Sequence, residues 1–180
     1  METELKRMMD ELEGKVRRLE IGVSRFVRGQ EMTILVDLDG VLVAPPTPEI
    51  ERGIRIAVGA SSDTHWSDLP NVFLYLKPMD GAIESYRLLA TKYDMHIVST
   101  APWGNDSAWT DKLKWVKRHI PEAAKRLTLT HRKGDLIGDC IIDDRKKNGV
   151  ESFMGRHIHF GHEPFFGWKE VLEELMPSRR

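Results

Sequence analysis

Apolar residues in the first 28 positions recur at Leu5, Met9, Leu12, Val16, Leu19, Val23 and Phe26, in alternating steps of four and three. This spacing is a heptad seam with Glu, Lys and Arg on the other faces, and it predicts one amphipathic helix over residues 1–28. Gly14 and Gly22 lie off the seam and weaken the helix by about 1 kcal/mol each relative to alanine. The helix admits two arrangements: a homodimer through a short coiled coil, or packing against the chain's own core.

From Met32 the pattern changes to short apolar runs alternating with helical periods. Strands are predicted at 32–36, 95–99, 127–130, 140–142 and 156–160. Helices are predicted at 80–93, with Asp80 as N-cap and Ile83, Tyr86, Leu89 and Ala90 on one face, at 105–120, with Trp109, Leu113, Val116 and Ile120 on the apolar face, and at 168–175. The alternation predicts an α/β fold with a parallel sheet covered on both faces, in which ligands bind at the carboxyl ends of the strands. Residues 45–76 hold Pro45, Pro46, Pro48, Gly53, Gly59 and Pro70 without a long period, and are expected to form a lid or binding insertion. The organisation expected is an N-terminal helix over 1–28 and a domain over 29–180, with the insertion as a cap.

Composition narrows the class. A net charge of −1 gives no basic field for nucleic acid, and 41% hydrophobic with 31% charged residues fits a soluble globular protein. No run approaches membrane-spanning length, the charged N-terminus lacks a signal-peptide pattern, and the single Cys140 fits a reducing cytosol, so a cytoplasmic location is expected.

The candidate chemistry sits where the strands end. Asp37 and Asp39 follow Ile34-Leu35-Val36, Thr100 ends the second strand, Lys133 follows the third, and Asp143-Asp144 end the fourth. A parallel sheet brings these ends together. Carboxylates from two strands suit a hard cation such as Mg²⁺. A hydroxyl and an ammonium can grip phosphate oxygens, and an aspartate can attack phosphorus. Ser99, one residue before Thr100, points to the other side of its strand. Trp66, Phe73 and Trp103 are candidates to line a substrate, beside His65 and Tyr75; Trp109 is expected in the core. His157 and His159 share one strand face, with His162 nearby, but no cysteine partner is near, and a hard cation such as Mg²⁺ takes oxygen ligands. The basic runs Arg145-Lys146-Lys147 and Arg179-Arg180 read as solvated faces.

Asp37-Leu38-Asp39-Gly40-Val41, Thr100, Lys133 and Asp143-Asp144, in this order and each after its own strand, resemble the four motifs of the haloacid-dehalogenase (HAD) superfamily. Ser99-Thr100-Ala101-Pro102-Trp103, Leu129-Thr130-His131-Arg132-Lys133 and Ile141-Ile142-Asp143-Asp144-Arg145 resemble its 5′(3′)-deoxyribonucleotidase branch, including bacterial and phage members. Ala101 stands where animal members carry serine, and the stretch between the first two motifs is shorter than theirs. The resemblance implies a HAD-like Rossmannoid three-layer sandwich with a short cap after strand one. It implies a Mg²⁺-dependent phosphomonoesterase acting on nucleoside monophosphates. In this resemblance Asp37 is nucleophile and metal ligand, and Asp39 is acid/base with its carbonyl on the metal. Asp144 is a further metal ligand with Asp143 supporting it, and Gly40, Thr100, Ala101 and Lys133 bind the phosphate. Two other readings are a phosphatase for a sugar phosphate or nucleic-acid 3′-phosphate, and a non-catalytic scaffold of the same fold.

Overall fold

The computed structural model describes residues 2–27 and 31–177. Helix α1 spans Glu2–Val27, followed by β1 (Thr33–Asp37), α2 (Pro48–Val58), α3 (Ala82–Ala90), β2 (Asp94–Ser99), α4 (Ala108–His119), β3 (Leu127–Leu129), β4 (Cys140–Asp143), β5 (Arg156–His159) and α5 (Trp168–Leu175). Residue 28 of the expected first helix and the run Arg179-Arg180 lie outside the described residues, as do the side chains at seam positions Leu19, Val23 and Phe26.

The five strands form one all-parallel sheet in the order β3-β2-β1-β4-β5. Central β1 is apolar on both faces, as a strand covered on both sides requires. Ile34 and Val36 point into the main core with Tyr86 and Leu89 of α3, Trp115 and Val116 of α4, and Trp168, Val171 and Leu175 of α5. Leu35 points the other way, to Val98, Ile141, Val150 and Phe153. That second layer is thin, built on turns at Lys133–Asp135 and Val150–Ser152. From β1 the chain winds outward to β2 and β3 on one side, and returns to lay β4 and β5 on the other. The switch point lies between β1 and β4, where parallel sheets open a crevice. No helix among the described residues is long and apolar enough to cross a membrane.

Several local expectations are corrected. Asp80 does not cap α3; the N-cap is Gly81 in the left-handed conformation (φ 70°), which turns the chain into the helix without a side-chain bond. The insertion is not structureless. It contains α2, with Thr47 accepting from the Ile50 N–H, Pro48 in the first turn and Gly59 (φ 64°) closing the helix. No residue of α2 is fully buried; its inner face is Ile50 and Ile54, half-buried, with Ile54 against the main core. In α4 the buried face is Ala108, Asp111, Lys112, Trp115 and Val116, not the stripe through Trp109 and Leu113, both of which stay exposed. The α1 seam positions Leu5, Met9, Leu12 and Val16 are exposed as well, so that stretch does not pack against the chain's own core.

Candidate active site

Strand β1 delivers Asp37 to the switch point, buried at 6% exposure. The chain turns at Gly40 (φ 77°), whose N–H donates to the Val43 carbonyl at 2.9 Å. The Leu38 N–H donates to Asp37 Oδ1 at 2.7 Å. Both amides are thus engaged inside the loop. A Cβ at Gly40 would lie 2.5 Å from Asp144 Oδ2. Glycine lets the β1 loop and the end of β4 close on each other.

Asp37, Asp143 and Asp144 converge so that one oxygen from each lies within 4.8 Å of the others. Lys133 enters this acidic group from the turn after β3, 2.9 Å from Asp37 Oδ1 and 2.6 Å from Asp143 Oδ2. The Lys133 N–H donates to the Asn148 carbonyl at 2.7 Å, which fixes the turn to the β4–β5 connection. The neighbouring cation Arg132 is exposed and pairs with Asp135. Asp139 lies at the opposite end of the sheet, accepting from the Thr33 N–H at 2.7 Å.

Asp143 uses both oxygens internally, Oδ2 for Lys133 and Oδ1 for the Arg145 N–H at 2.9 Å. Asp144 keeps Oδ1 buried without a hydrogen-bond partner. Burial, followed by the Asp37 charge, pushes the Asp143 carboxyl up to about 7 against the pull of Lys133. The same two causes raise Asp144. Burial opposes the Lys133 charge, yet Asp37 and Asp143 outweigh it and hold the ammonium above its ordinary range. An all-carboxylate donor set with an orphaned buried oxygen fits a hard divalent cation.

The Asp39 carboxylate does not join the triad. It pairs with Lys112, a fully buried lysine of α4 that the sequence reading passed over. Lys112 Nζ also donates to Ser99 Oγ at 2.9 Å and the Thr100 carbonyl at 2.7 Å, and sits 4.6 Å from the centre of the Phe73 ring. Three oxygens and an aromatic face thus compensate a buried charge. Burial raises the Asp39 carboxyl, Lys112 pulls it down, and Asp37 raises it further. Asp39 Oδ1 is buried and has no hydrogen-bond partner.

A cavity of about 330 Å³ opens over these groups. Asp37, Asp39, Thr100, Ala101, Lys133 and Asp143 line its polar end; His65, Trp66, Trp103 and His131 form its aromatic side, and Arg145 and Lys147 reach its rim. The Thr100 hydroxyl donates to the Thr130 carbonyl at 2.8 Å. His131 Nε2 lies 2.9 Å from the Ala101 carbonyl, and its ring meets Trp103 edge-on at 5.7 Å. Phe73 is displaced from the expected substrate wall: it is buried in the core, between Trp66 and Lys112. Trp109, expected in the core, is half exposed beside His131. His157 and His159 turn Nε2 toward the backbone carbonyls of Asp143 and Asp144, at 3.0 and 3.1 Å, and so brace the end of β4.

A family model described as 5′ nucleotidase, deoxy (Pyrimidine), cytosolic type C protein matches residues 52–166, more than half of the chain. The chain belongs to this family. Members of this 5′-nucleotidase family are phosphoric monoester hydrolases, and so is this chain. A protein of Vibrio phage KVP40, provisionally named a 5′(3′)-deoxyribonucleotidase, is 36% identical over 162 residues, covering 88% of this chain and 92% of its own length. A Bordetella bronchiseptica protein with the same provisional name is 41% identical over 92 residues, 49% of this chain and 50% of its own. The human 5′(3′)-deoxyribonucleotidase, cytosolic type, is 31% identical over 130 residues, 63% of this chain and 65% of its own.

Proposed function

We propose that this nucleotidase is a Mg²⁺-dependent 5′(3′)-deoxyribonucleotidase that hydrolyses nucleoside monophosphates through a phosphorylated Asp37. The observation that carries the reading is the single cavity joining a buried carboxylate–lysine cluster to an aromatic side. Its volume suits a small ligand with one charged and one planar end. The names of the phage and human relatives point the same way, and the human name also supports a cytosolic location.

Asp37 and Asp144 would hold the ion, together with the Asp39 carbonyl, and the bound cation would offset the charge of the phosphoryl group. A carboxylate oxygen of Asp37 attacks phosphorus while the bond from phosphorus to the sugar oxygen breaks. Asp39 gives its proton to that oxygen, and the nucleoside leaves. Asp39, now ionised beside Lys112, takes a proton from water, and the resulting hydroxide attacks phosphorus. The bond to Asp37 breaks, and inorganic phosphate departs. Asp39 suits both duties because burial favours its protonated form and the Lys112 ammonium its ionised form. Lys133 neutralises the phosphate beside Asp37, with Asp143 orienting it. Thr100 exchanges the Thr130 carbonyl for a phosphate oxygen, and Ala101, which lines the same cavity, completes the grip. Trp66 and Trp103 flank the base.

The test is phosphate release from deoxynucleoside 5′- and 3′-monophosphates, with and without Mg²⁺. Release should require the metal, and Asp37→Asn should lower it roughly 10⁴-fold or more. Failure on every phosphomonoester would refute the activity. Turnover of sugar phosphates alone would refute the substrate class.

A further inference from the structure

Asn105 stands in the connection between β2 and α4, 2% exposed, and does not line the cavity. Yet every hydrogen-bonding position of its side chain is used. Nδ2 donates to the Ser67 carbonyl at 2.9 Å and to the Leu69 carbonyl at 2.8 Å. Oδ1 accepts from the Ser107 N–H at 3.1 Å and lies 2.8 Å from Ser107 Oγ. The carbonyls only accept and the N–H only donates, so the amide has one orientation. Ser107 Oγ in turn accepts from the Asn71 N–H at 2.7 Å. Asn71 holds a left-handed backbone (φ 61°), a conformation that a residue with a side chain keeps when its surroundings hold it there.

These bonds all run from the β2–α4 connection to residues 67–71 of the cap. Two more from α4 continue the line: Trp115 Nε1 donates to the Leu76 carbonyl at 2.9 Å, and Arg118 Nη1 to the Leu74 carbonyl at 3.1 Å. The same stretch of cap buries Leu69, Val72, Phe73 and Leu76 in the main core. A lid that opens is drawn from weakly packed segments with exposed bonds. Here opening would strand a buried amide and uncover core side chains, so this half of the cap is a fixed wall. Its free edge is functional, since His65, Trp66 and Ser67 line the cavity. Asn105 holds the carbonyl of Ser67, the residue next to Trp66. Helix α4 also supplies Lys112 to Asp39, so one element carries both the support of the aromatic wall and the partner of the acid/base group.

We propose that Asn105, supported by Ser107, is a positioning residue that fixes the aromatic wall relative to Asp37 and thereby sets the preference for a nucleotide over a phosphoester without a base. The proposal rests on the reading that Trp66 flanks the base. Asn105 touches no substrate and acts through Ser67 and Leu69. Selectivity then comes from a slot already formed before binding, not from closure over the ligand.

Asn105→Asp keeps the side-chain shape but turns an oxygen toward two carbonyls that have no proton to give. Two measurements on the full chain read its effect. The first is kcat and KM for a deoxynucleoside 5′-monophosphate and for deoxyribose 5-phosphate, which lacks the base. The second is amide hydrogen exchange along residues 65–76. In Asn105→Asp the nucleotide KM should rise at least about ten-fold with kcat within about three-fold, so that the preference in kcat/KM for the nucleotide falls by a similar factor. Exchange over 65–76 should quicken while β1, β2 and β4 keep their protection. Ser107→Ala, which removes the acceptor for Asn71 and one partner of Asn105, should move both readouts the same way by a smaller factor, and it decides the matter where Asn105→Asp does not fold. Unchanged exchange over 65–76 overturns the clamp. Quickened exchange with an unchanged nucleotide preference overturns the specificity role, as does an equal loss on both substrates. An unaltered chain that turns over deoxyribose 5-phosphate alone refutes the proposed substrate class and the specificity role with it, while exchange still reads whether Asn105 holds the cap.

Discussion

Asp39 and Lys112 form an ion pair in which the lysine is fully buried, so neither partner is easily removed alone. Lys112→Met should cost about 3–5 kcal/mol in denaturant unfolding, because it strands a buried carboxylate. Asp39→Asn/Lys112→Met should recover part of that loss, while turnover stays low in both. Gly40→Ala makes a different prediction. It places a methyl group 2.5 Å from Asp144 Oδ2 at a φ of 77°. Displacing Asp144 should raise the Mg²⁺ concentration needed for half-maximal phosphate release by roughly ten-fold, the scale of altered metal-site support. The acidic residues were legible because each follows an apolar strand, and strand ends are where parallel sheets expose polar groups. Lys112 was not, because a lone lysine on a helix reads as solvated. Its signal was positional: it lies four residues from both Ala108 and Val116, on the face that is buried.

At the scale of elements, the turn Lys133–Asp135 decides whether the site is assembled. A Cβ at Gly134 would meet Ser152 Oγ and come within 2.6 Å of the Gly149 carbonyl. Gly134→Ala should therefore shift Lys133 away from Asp37 and Asp143, reducing turnover at least about ten-fold and destabilising the fold by about 1–3 kcal/mol, the usual cost of overpacking; kinetics and thermal unfolding check this together. The strands and α5 could be read from their apolar runs, to within a residue or two at their ends. Helix α2 buries no residue fully and offers only a short apolar stripe, Ile50 and Ile54, within a run rich in proline and glycine, although Thr47-Pro48 at its start and Gly59 at its end are helix-boundary residues. In α4, Trp109 and Leu113 offered an apolar stripe as regular as the true one through Trp115. Which stripe is buried depends on where α4 meets the sheet, and that is a property of the tertiary fold.

For the molecule as a whole, three carboxylates at one crevice tie stability to metal and pH. The folded state holds the Asp143 proton up to about 7 against an ordinary 3.8. Without metal the folded state thus binds more protons than the unfolded one between those values, and stability should fall as pH rises through that window. Mg²⁺ competes with the proton, so its stabilising effect should be larger at pH 8 than at pH 6, reaching about 2.7 kcal/mol when the free ion exceeds its dissociation constant 100-fold. Melting temperatures with Mg²⁺ and with EDTA at both pH values test this. The proposed chemistry turns on a phosphorylated Asp37. Acid quenching of the enzyme during turnover of a deoxynucleoside monophosphate carrying a radiolabelled phosphoryl group, followed by peptide mapping, reads it directly. Base-labile label is expected on the peptide bearing Asp37, and none in Asp37→Asn. Steady turnover with no label on Asp37, together with an active Asp37→Asn variant, would contradict this chemistry.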